Sequence, residues 1–336
     1  MKGYENMLSY AIIGFGGLGK KHFRNTKELC ERVGDVKLTA ICDIEESAFN
    51  TQTDTNISTE ATNLDLSAYR LYTDVNELFE NEKLDFVIAA LPTSIHEKIA
   101  VMAMERKIHV FSEKPMALNE KECENMLKAS RENNVRLMIG QCVRYSSAVA
   151  FAKELVESGK YGRVLYANFE RFSGPPVWTW KKWMLDEEKS GGAALDLHIH
   201  DVDLICYLFG EPKSISARRI SGEIKNDGLF TTYDFDDGMF ATARGSWGFN
   251  NPYRFRSGFL IKFEHATFES GGGIAILYTD DSKVEVKLPP TNVTLEELVD
   301  FVCCIRNGEN SKINPPEASA LSVKIALLEK EKAKLI

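Results

Sequence analysis

The fold of this chain is decided near its start, where residues 8–19 read LSYAIIGFGGLG. Residues 8–13 have the short apolar composition of a buried strand, and residues 20–33 carry an apolar side chain at every third or fourth position, as a helix does. Between these two segments, glycine recurs in a G-x-G-x-x-G pattern. A strand, a glycine turn and a helix in this order predict the phosphate-binding turn of a dinucleotide-binding sheet.

Each glycine of the turn has its own predicted role. Gly14 makes the tight turn, Gly16 lets the backbone approach a pyrophosphate, and Gly19 lets helix and strand pack closely. The helix N-terminus then offers unpaired amide groups to the phosphates. The predicted cofactor-binding loop is therefore Gly14, Phe15, Gly16, Gly17, Leu18 and Gly19. An ordinary strand-to-helix turn can show the same pattern, so further support must come from the next strand.

The next predicted strand, residues 37–42, ends in Asp43. This position places a carboxylate where the ribose hydroxyls of a dinucleotide lie. A carboxylate accepts a hydrogen bond from a free 2′-hydroxyl and repels a 2′-phosphate, so Asp43 predicts NAD in preference to NADP. Asp43 can also cap a helix over residues 44–50, and the two roles are compatible.

Strands and helices alternate through residues 1–142, which predicts an α/β fold that begins with a Rossmann domain, a doubly wound parallel sheet. Further strands are predicted at 85–91, 107–112 and 136–140, and helices at 94–106 and 119–133. Residues 50–68 are rich in Thr, Asn and Asp and predict a surface excursion.

The pattern changes in residues 143–336, for which we expect an α+β domain with a largely antiparallel open sheet, used for substrate binding and oligomerisation. Short strands without long helices between most of them are predicted at 164–172, 214–220, 229–235, 239–247, 258–263, 266–268, 274–278 and 283–286. Helices are predicted at 295–306 and 316–335, and the last one is a candidate for packing back on the first domain.

In a doubly wound sheet, ligands bind at the carboxyl ends of the strands. Lys114 lies at such an end, and a lysine there suggests chemistry in addition to cofactor binding. The segments that fall at this edge are Leu91-Pro92-Thr93, Glu113-Lys114-Pro115 and residues 141–145. The sequence leaves the isomer of the Lys114-Pro115 bond open.

A helix that follows Gly191-Gly192 carries a second group of reactive side chains. Asp196 and His200 are four residues apart, which places them on one helical face, and Asp203 continues that stripe while His198 points elsewhere. Two carboxylates and an imidazole aligned on one face favour a functional site over a purely structural helix.

These motifs, in this order, resemble the signature set of the Gfo/Idh/MocA oxidoreductases, named for glucose-fructose oxidoreductase, inositol dehydrogenase and a rhizopine-catabolism enzyme. The resemblance covers nearly the whole chain. The matching residues are the glycine loop, residues 91–96, Glu113-Lys114-Pro115, Gly191-Gly192, Asp196 and His200.

The resemblance implies a Rossmann domain followed by a mixed α/β domain whose open sheet often mediates dimers or tetramers. It implies a catalytic set of Lys114, Asp196 and His200, and a substrate that is a sugar, an inositol or a related polyol. Glu113 would reach the nicotinamide ribose, and Thr93 and His96 would border the cofactor.

The chain departs from the family pattern in two respects. A second acidic residue found in some members has no clear counterpart, and His198 stands where the family has a small residue.

Positions near the strand ends add further cofactor candidates. Leu91 and Pro92 belong to the loop after the fourth predicted strand, and Arg144 lies just past the strand that ends at Gly140. Trp183 belongs to an aromatic, basic segment that precedes the Gly191 helix. Lys181 and Lys182 in that segment are better explained as a solvated face.

The chemistry of hydride transfer agrees with the implied roles. An imidazole suits proton removal near neutral pH, which favours His200 as the acid or base. The Lys114 ammonium would stabilise developing alkoxide charge, or a lysine with a pKa depressed by burial would itself be the base. Asp196 would orient the imidazole or bind a substrate hydroxyl. Pairing with a surface acid is the alternative explanation for Lys114.

Composition excludes several other classes of protein. The net charge of −8 argues against a general nucleic-acid binder, and no apolar stretch is long enough for a membrane span. The seven scattered cysteines show no metal-binding spacing and are those of a reduced, cytoplasmic protein. We therefore expect no metal, no nucleic acid and no membrane. The expectation of a homodimer or homotetramer comes from the exposed antiparallel sheet and from the family resemblance.

Three functional hypotheses follow. The first is an NAD-dependent sugar or polyol dehydrogenase that releases its reduced cofactor. The second is an enzyme of the same fold that keeps NAD bound and returns the hydride, as in epimerisation or redox-assisted glycoside cleavage. The third is a non-catalytic dinucleotide sensor, against which the set of Lys114, Asp196 and His200 speaks.

Overall fold

The computed structural model of the protein describes residues 7–50, 64–221, 227–250 and 253–335. These residues divide into two compact units. Unit one contains the chain up to Gln141, together with Trp178–Lys181 and Thr294–Glu317. Unit two contains Cys142–Val177, Lys182–Val293 and the chain from Ala318 onward. Most of the expected surface excursion, 50–68, lies outside the described residues.

The strands and α-helices are numbered separately in chain order. The strands are β1 (Leu8–Ile13), β2 (Val36–Cys42), β3 (Arg70–Tyr72), β4 (Phe86–Ala89), β5 (His109–Ser112), β6 (Leu137–Ile139), β7 (Val164–Phe172), β8 (Ser214–Ile220), β9 (Gly228–Asp234), β10 (Phe240–Ser246), β11 (Arg256–Phe263), β12 (Ala266–Gly271), β13 (Ile274–Thr279), β14 (Lys283–Glu285) and β15 (Lys334–Leu335). The helices are α1 (Gly17–Val33), α2 (Val75–Asn81), α3 (His96–Glu105), α4 (Glu120–Asn133), α5 (Ser147–Ser158), α6 (Glu187–Ser190), α7 (Ile199–Phe209), α8 (Val293–Asn307) and α9 (Pro316–Lys332).

Unit one is built on a six-stranded parallel sheet with the order β3-β2-β1-β4-β5-β6. The predicted doubly wound sheet is confirmed. The strand order reverses between β1 and β4, and ligands of such sheets bind at the carboxyl edge beside this reversal. The short strand β3 and helix α2 were not predicted from the sequence.

One hydrophobic cluster of unit one packs on a face of this sheet. Apolar side chains of β1, β4 and β5 meet Leu29 of α1 and the apolar face of α8. The ring of Phe301 on α8 packs edge-on against Phe86 and Phe111, with centroids 5.8 Å apart in each case.

All of α9 after Glu317 belongs to unit two, and its packing on the first domain stays a prediction. The preceding helix, α8, belongs to unit one and packs on the first sheet. The reason is that Leu295, Leu298 and Phe301 give α8 an apolar face that complements the sheet.

Unit two contains a nine-stranded sheet with the order β14-β13-β12-β11-β7-β10-β9-β8-β15. Neighbouring strands run antiparallel except in two pairs, β7 with β10 and β8 with β15. The predicted largely antiparallel sheet is confirmed. Helix α7 contacts β7 and β10 and is therefore held against the middle of the sheet. Because β7 and β10 are parallel, their carboxyl ends meet at one edge.

Candidate active site

The glycine loop between β1 and α1 is a close-packed turn. Gly14 has a φ of 89°, and a Cβ atom there would lie 2.2 Å from the carbonyl oxygen of Ala90. A Cβ atom at Gly19 would lie 1.9 Å from the carbonyl oxygen of Gly14. At Gly16, by contrast, a Cβ atom would meet no described atom within 4 Å apart from those of its neighbours along the chain. The loop thus needs glycine for its own geometry at two positions and faces open space at the third.

Asp43 follows β2 and is tied to this loop. Its Oδ2 accepts a hydrogen bond of 2.7 Å from the backbone N–H of Phe15, and its Oδ1 accepts one of 2.9 Å from the N–H of Glu45. A carboxylate has about four acceptor positions, so two remain for other donors once these two contacts from the described part of the chain are counted. The Phe15 side chain itself lies in the hydrophobic core.

The predicted helix over residues 44–50 is a single 3-10 turn at Glu46–Phe49, and Asp43 does not cap it. Asp43 accepts from the amide two residues on, in the manner of an Asx turn. Leu18 and Gly17 stand at the start of α1, with Leu18 exposed.

His96 joins the two loops that follow β4 and β5. Its ring is fully buried, with Nδ1 2.9 Å from the carbonyl oxygen of Pro115 and Nε2 2.8 Å from that of Leu91. Burial lowers the pKa of His96 below its ordinary value, although the two carbonyl groups oppose this effect. His96 therefore fixes the positions of both loops. The bond between Lys114 and Pro115 is cis.

Glu113 and Lys114 follow β5 directly and differ in exposure. Lys114 is partly exposed, whereas Glu113 is buried, with its Oε1 2.7 Å from Nε2 of His22 on α1. Burial acts to raise the pKa of Glu113, but the hydrogen bond and charge of His22 hold it below its ordinary value. The charges of Lys114 and Lys21 add to this lowering.

Asp196 and His200 belong to unit two, and the local helix differs from the expected one. Ala194–His198 forms a π-helical turn that contains Asp196, and His200 follows in the first turn of α7. π-helical turns of this kind are frequent at functional sites. Asp196 is 8% exposed and His200 is partly buried.

Asp203, which the sequence placed on the same helical face as Asp196 and His200, is held in buried contacts inside unit two. Its carboxylate accepts two hydrogen bonds of 2.7 Å from the guanidinium of Arg144 and one of 2.8 Å from Oγ of Ser322. The Arg144 guanidinium also stacks 4.8 Å from the ring of Tyr207. Arg144 is thus engaged in the interior of unit two, and its contact with a cofactor stays a prediction. Trp183, in the 3-10 segment Trp180–Leu185, is partly buried.

His198, between Asp196 and His200, is fully buried and lies opposite Glu329 of α9. Its Nε2 is 2.8 Å from Oε2 of Glu329, and the hydroxyl of Tyr233 donates to Oε1 of the same carboxylate at 2.6 Å. Burial acts to lower the pKa of His198, but the charge of Glu329 and its hydrogen bond raise it above its ordinary value. Sequence alone gives no sign of this pair, because its members are far apart along the chain.

Lys181 also has a role that the sequence did not indicate. Its Nζ lies 2.8 Å from Oε1 of Glu45, two residues after Asp43, and 4.3 Å from the centroid of the Trp180 ring. Both Glu45 and the Trp178–Lys181 segment belong to unit one. The hydrogen bond from Lys181 lowers the pKa of Glu45.

The described residues meet neither the requirements of a metal site nor those of a membrane-spanning helix. Within residues 7–50, 64–221, 227–250 and 253–335, no three His, Cys, Asp or Glu side chains are grouped so that they could hold a metal ion. Among the helices of the same residues, none has the length and apolar character that crossing a membrane requires.

Comparison with family models gives two matches in chain order. Residues 8–141 match the oxidoreductase family NAD-binding Rossmann fold of GFO/IDH/MocA, and residues 149–269 match the GFO/IDH/MocA C-terminal domain. Together the two matches cover most of the chain.

Individual proteins show the same likeness. The chain is 26% identical over 337 residues to scyllo-inositol 2-dehydrogenase (NAD(+)) of Bacillus subtilis, which covers 94% of the chain and 91% of that enzyme. It is 28% identical over 258 residues to 2,7-anhydro-N-acetylneuraminate hydratase of Escherichia coli, which covers 73% of the chain. That match spans only 63% of the hydratase, and matches to two further relatives span less than half of their length.

The fold is also similar to that of levoglucosan dehydrogenase in complex with NADH and levoglucosan. The TM-score is 0.82 with 19% sequence identity, and 97% of each chain is covered. At this level of identity the likeness establishes a common fold.

Proposed function

The chain belongs to the GFO/IDH/MocA oxidoreductase family, and on that premise we propose that it transfers a hydride between a secondary hydroxyl of a sugar, inositol or related polyol and NAD. The observation that carries this proposal is Lys114, which is partly exposed at the carboxyl end of β5 in a sheet whose ligands bind at that edge. A cation there stabilises negative charge on a reacting oxygen.

The described residues fit a dinucleotide. The amides at the start of α1 would hold the pyrophosphate, and the open space beside Gly16 admits it. The two free acceptor positions of Asp43 suit the ribose hydroxyls and disfavour a 2′-phosphate, which supports NAD over NADP. When bound, the nicotinamide accepts or returns the hydride. Thr93, His96, Glu113, Arg144 and Trp183 remain proposed cofactor neighbours.

Three side chains would act on the reacting hydroxyl. Lys114 stabilises the developing alkoxide, and His200 takes up or returns the hydroxyl proton. Asp196 orients the imidazole of His200 and stabilises its charged form, or binds a neighbouring substrate hydroxyl.

The test is the formation of NADH when the purified protein meets NAD and a panel of inositols, anhydrosugars, aldoses, sugar acids and amino sugars. We expect turnover on one class of this panel and a loss of kcat of about 100-fold or more in Lys114→Ala and in His200→Ala. Lys98→Ala and His265→Ala, which change exposed residues of the same types, serve as matched controls. Equal activity in the two site variants and their controls would overturn the proposed roles.

A second candidate is favoured by the likeness to a hydratase. An enzyme of the same fold that keeps NAD bound would return the hydride to its product, as in epimerisation or redox-assisted glycoside cleavage. Such a protein would copurify with dinucleotide and convert substrate without net formation of NADH. A non-catalytic sensor would bind NADH and show no biochemical effect of Lys114→Ala or His200→Ala beyond stability.

A further inference from the structure

A buried acid of unit one plays no part in the proposed reaction. Glu297 on α8 has no exposed surface, and neither of its carboxyl oxygens has a hydrogen-bond partner within the part of the chain that the structure describes. An ionised carboxylate in such surroundings is strongly unfavourable, because burial removes its hydration and nothing replaces it. These surroundings favour the protonated form of Glu297.

The neighbouring acid, Glu113, is in the opposite condition. It faces His22 at 2.7 Å and is held ionised, as described above. Burial is the main cause that raises the pKa of Glu297 well above its ordinary value, and the negative charge of Glu113 is the second cause. Two buried carboxyl groups that influence one another in this way titrate as a pair, with one proton between them.

Charged groups on two elements determine where this proton equilibrium lies. Helix α1 contributes Lys21 and His22, and the loop after β5 contributes Lys114. His96 on α3 also faces Glu113, but burial lowers its pKa and favours its neutral form. Lys21 acts on both carboxyl groups and favours their ionised forms. The positive charges of His22 and Lys114 act on Glu113, which explains why Glu113 is the ionised member of the pair.

Glu113, the ionised member of the pair, lies at the edge of the sheet where a cofactor would bind. Glu113 follows the last residue of β5 and precedes Lys114, and a Cβ atom at Gly140, just after β6, would lie 3.1 Å from its Oε2. The oxidised nicotinamide ring carries one positive charge, and the reduced ring carries none. A positive charge nearby favours ionisation of a carboxyl group, and its loss favours protonation.

We propose that the Glu113–Glu297 pair is a proton site linked to the oxidation state of the bound dinucleotide, releasing a proton when the oxidised form binds and holding it when the reduced form binds. This inference rests on the proposed function. Oxidation of an alcohol by NAD yields a carbonyl compound, NADH and one proton. Uptake of one proton by the pair balances the proton released at the substrate, so the number of protons in the complex is unchanged until the products leave.

The experiment measures protons directly instead of turnover. Binding of NAD and of NADH is followed by titration calorimetry at one pH in two buffers that differ in ionisation enthalpy, which gives the number of protons exchanged per site. We expect NAD binding to release more protons than NADH binding, by a difference that approaches about one per site. Glu297→Gln should abolish most of this difference and retain binding of both dinucleotides.

Two variants make the result specific. Glu296→Gln removes the same charge from the adjacent, partly exposed residue, which pairs with Arg32, and should keep the wild-type difference. Glu297→Asp keeps an ionisable group and should restore part of the proton difference that Glu297→Gln loses.

Infrared spectroscopy tests the protonated acid directly. In the protein without dinucleotide, the spectrum should show the C=O band of a protonated carboxylic acid, and Glu297→Gln should lack this band.

The outcomes separate this inference from the proposed function. Binding of both dinucleotides with no proton difference, or with the same difference in Glu297→Gln, overturns the inference alone. Absence of the carboxylic acid band from the wild-type spectrum overturns it as well. Failure of the wild-type protein to bind either dinucleotide overturns the inference and the proposed function together.

Discussion

Each unit of this protein contains a buried imidazole facing a buried carboxylate. In unit one, His22 faces Glu113 at 2.7 Å, and in unit two His198 faces Glu329 at 2.8 Å. The surroundings of the two pairs differ. The Tyr233 hydroxyl donates to the second oxygen of Glu329, whereas the pair in unit one has a second acid, Glu297, as its neighbour.

This difference separates a structural pair from one that can change its charge. Oε1 of Glu329 accepts a hydrogen bond from Tyr233, and Oε2 lies at ion-pair distance from the His198 imidazole, so a positive charge on His198 compensates this carboxylate. The contact holds α9 near the π-helical turn. Glu297 has no such partner among the described residues and stays buried at a cost in stability. Residues that lower the stability of the folded protein and make no stabilising contact are typical of functional sites.

The largest expected effect comes from breaking the pair in unit two. Glu329→Gln keeps the acceptor for Tyr233 but leaves His198 without a counter-charge, and removing one partner of a buried pair costs about 3 kcal/mol. The pKa of His198 is raised in the folded protein, so this stabilisation is fully present below about pH 6.5, the ordinary pKa of histidine, and is lost as the pH rises through the folded pKa. Urea unfolding at low and high pH measures this trend.

The matched control for this prediction is Glu331→Gln, which alters an exposed residue of the same helix and should change the free energy of unfolding by less than about 0.5 kcal/mol. A loss in Glu329→Gln that is the same at every pH would contradict the assigned charge of His198.

A smaller effect is expected from filling the space that His198 occupies. A Cβ atom at Gly245 on β10 would lie 2.8 Å from Nδ1 of His198. Gly245→Ala should therefore cost about 2 kcal/mol through overpacking. In a His198→Ala background the same change should cost less, because only the contact of 3.0 Å with the Cβ atom of residue 198 remains, and a double-mutant cycle measures this coupling. Additive costs would show that the two residues do not compete for one space.

The smallest effect at mildly acidic pH, and the only one of opposite sign, is expected in unit one. The pKa of Glu297 is raised in the folded protein, so stability is highest below the ordinary glutamate pKa of about 4.3 and falls as the pH rises toward the folded pKa. Glu297→Gln keeps the shape without this dependence. It should stabilise the protein by about 1 kcal/mol one pH unit above 4.3, and by more as the pH rises further.

Thermal and urea unfolding of Glu297→Gln and Glu296→Gln at several pH values test this trend. Destabilisation of Glu297→Gln across the whole range would mean that the acid is a structural element after all.

The sequence predicted the fold wherever the prediction depends on residues that are close together along the chain. The glycine spacing, the apolar strand before it and the acid at the end of the next strand lie within about 36 residues, 8–43, and predicted the turn that the structure contains. Alternation of short apolar runs with turn residues predicted eight strands of unit two at nearly their observed positions. Local patterns succeed because backbone hydrogen bonding and side-chain periodicity depend on near neighbours.

The sequence analysis did not identify features that depend on distant residues. It did not associate His22 with Glu113 and Glu297, or Lys181 with Glu45, because each association joins segments far apart in the chain. It expected a regular helix where Ala194–His198 forms a π-helical turn, since the side-chain pattern of the two is nearly the same. The sequence placed Asp203 among the candidate site residues, whereas in the structure its carboxylate accepts hydrogen bonds from Arg144.

The sequence by itself determined the two fold classes and the positions of Gly14, Asp43 and Lys114 in the first sheet, because these follow from local spacing and from the rule that ligands meet strand ends. Only the tertiary structure decided the charge of the buried acids. Whether Glu113 is ionised and Glu297 is protonated depends on burial and on charges from several separate elements, which no local pattern encodes.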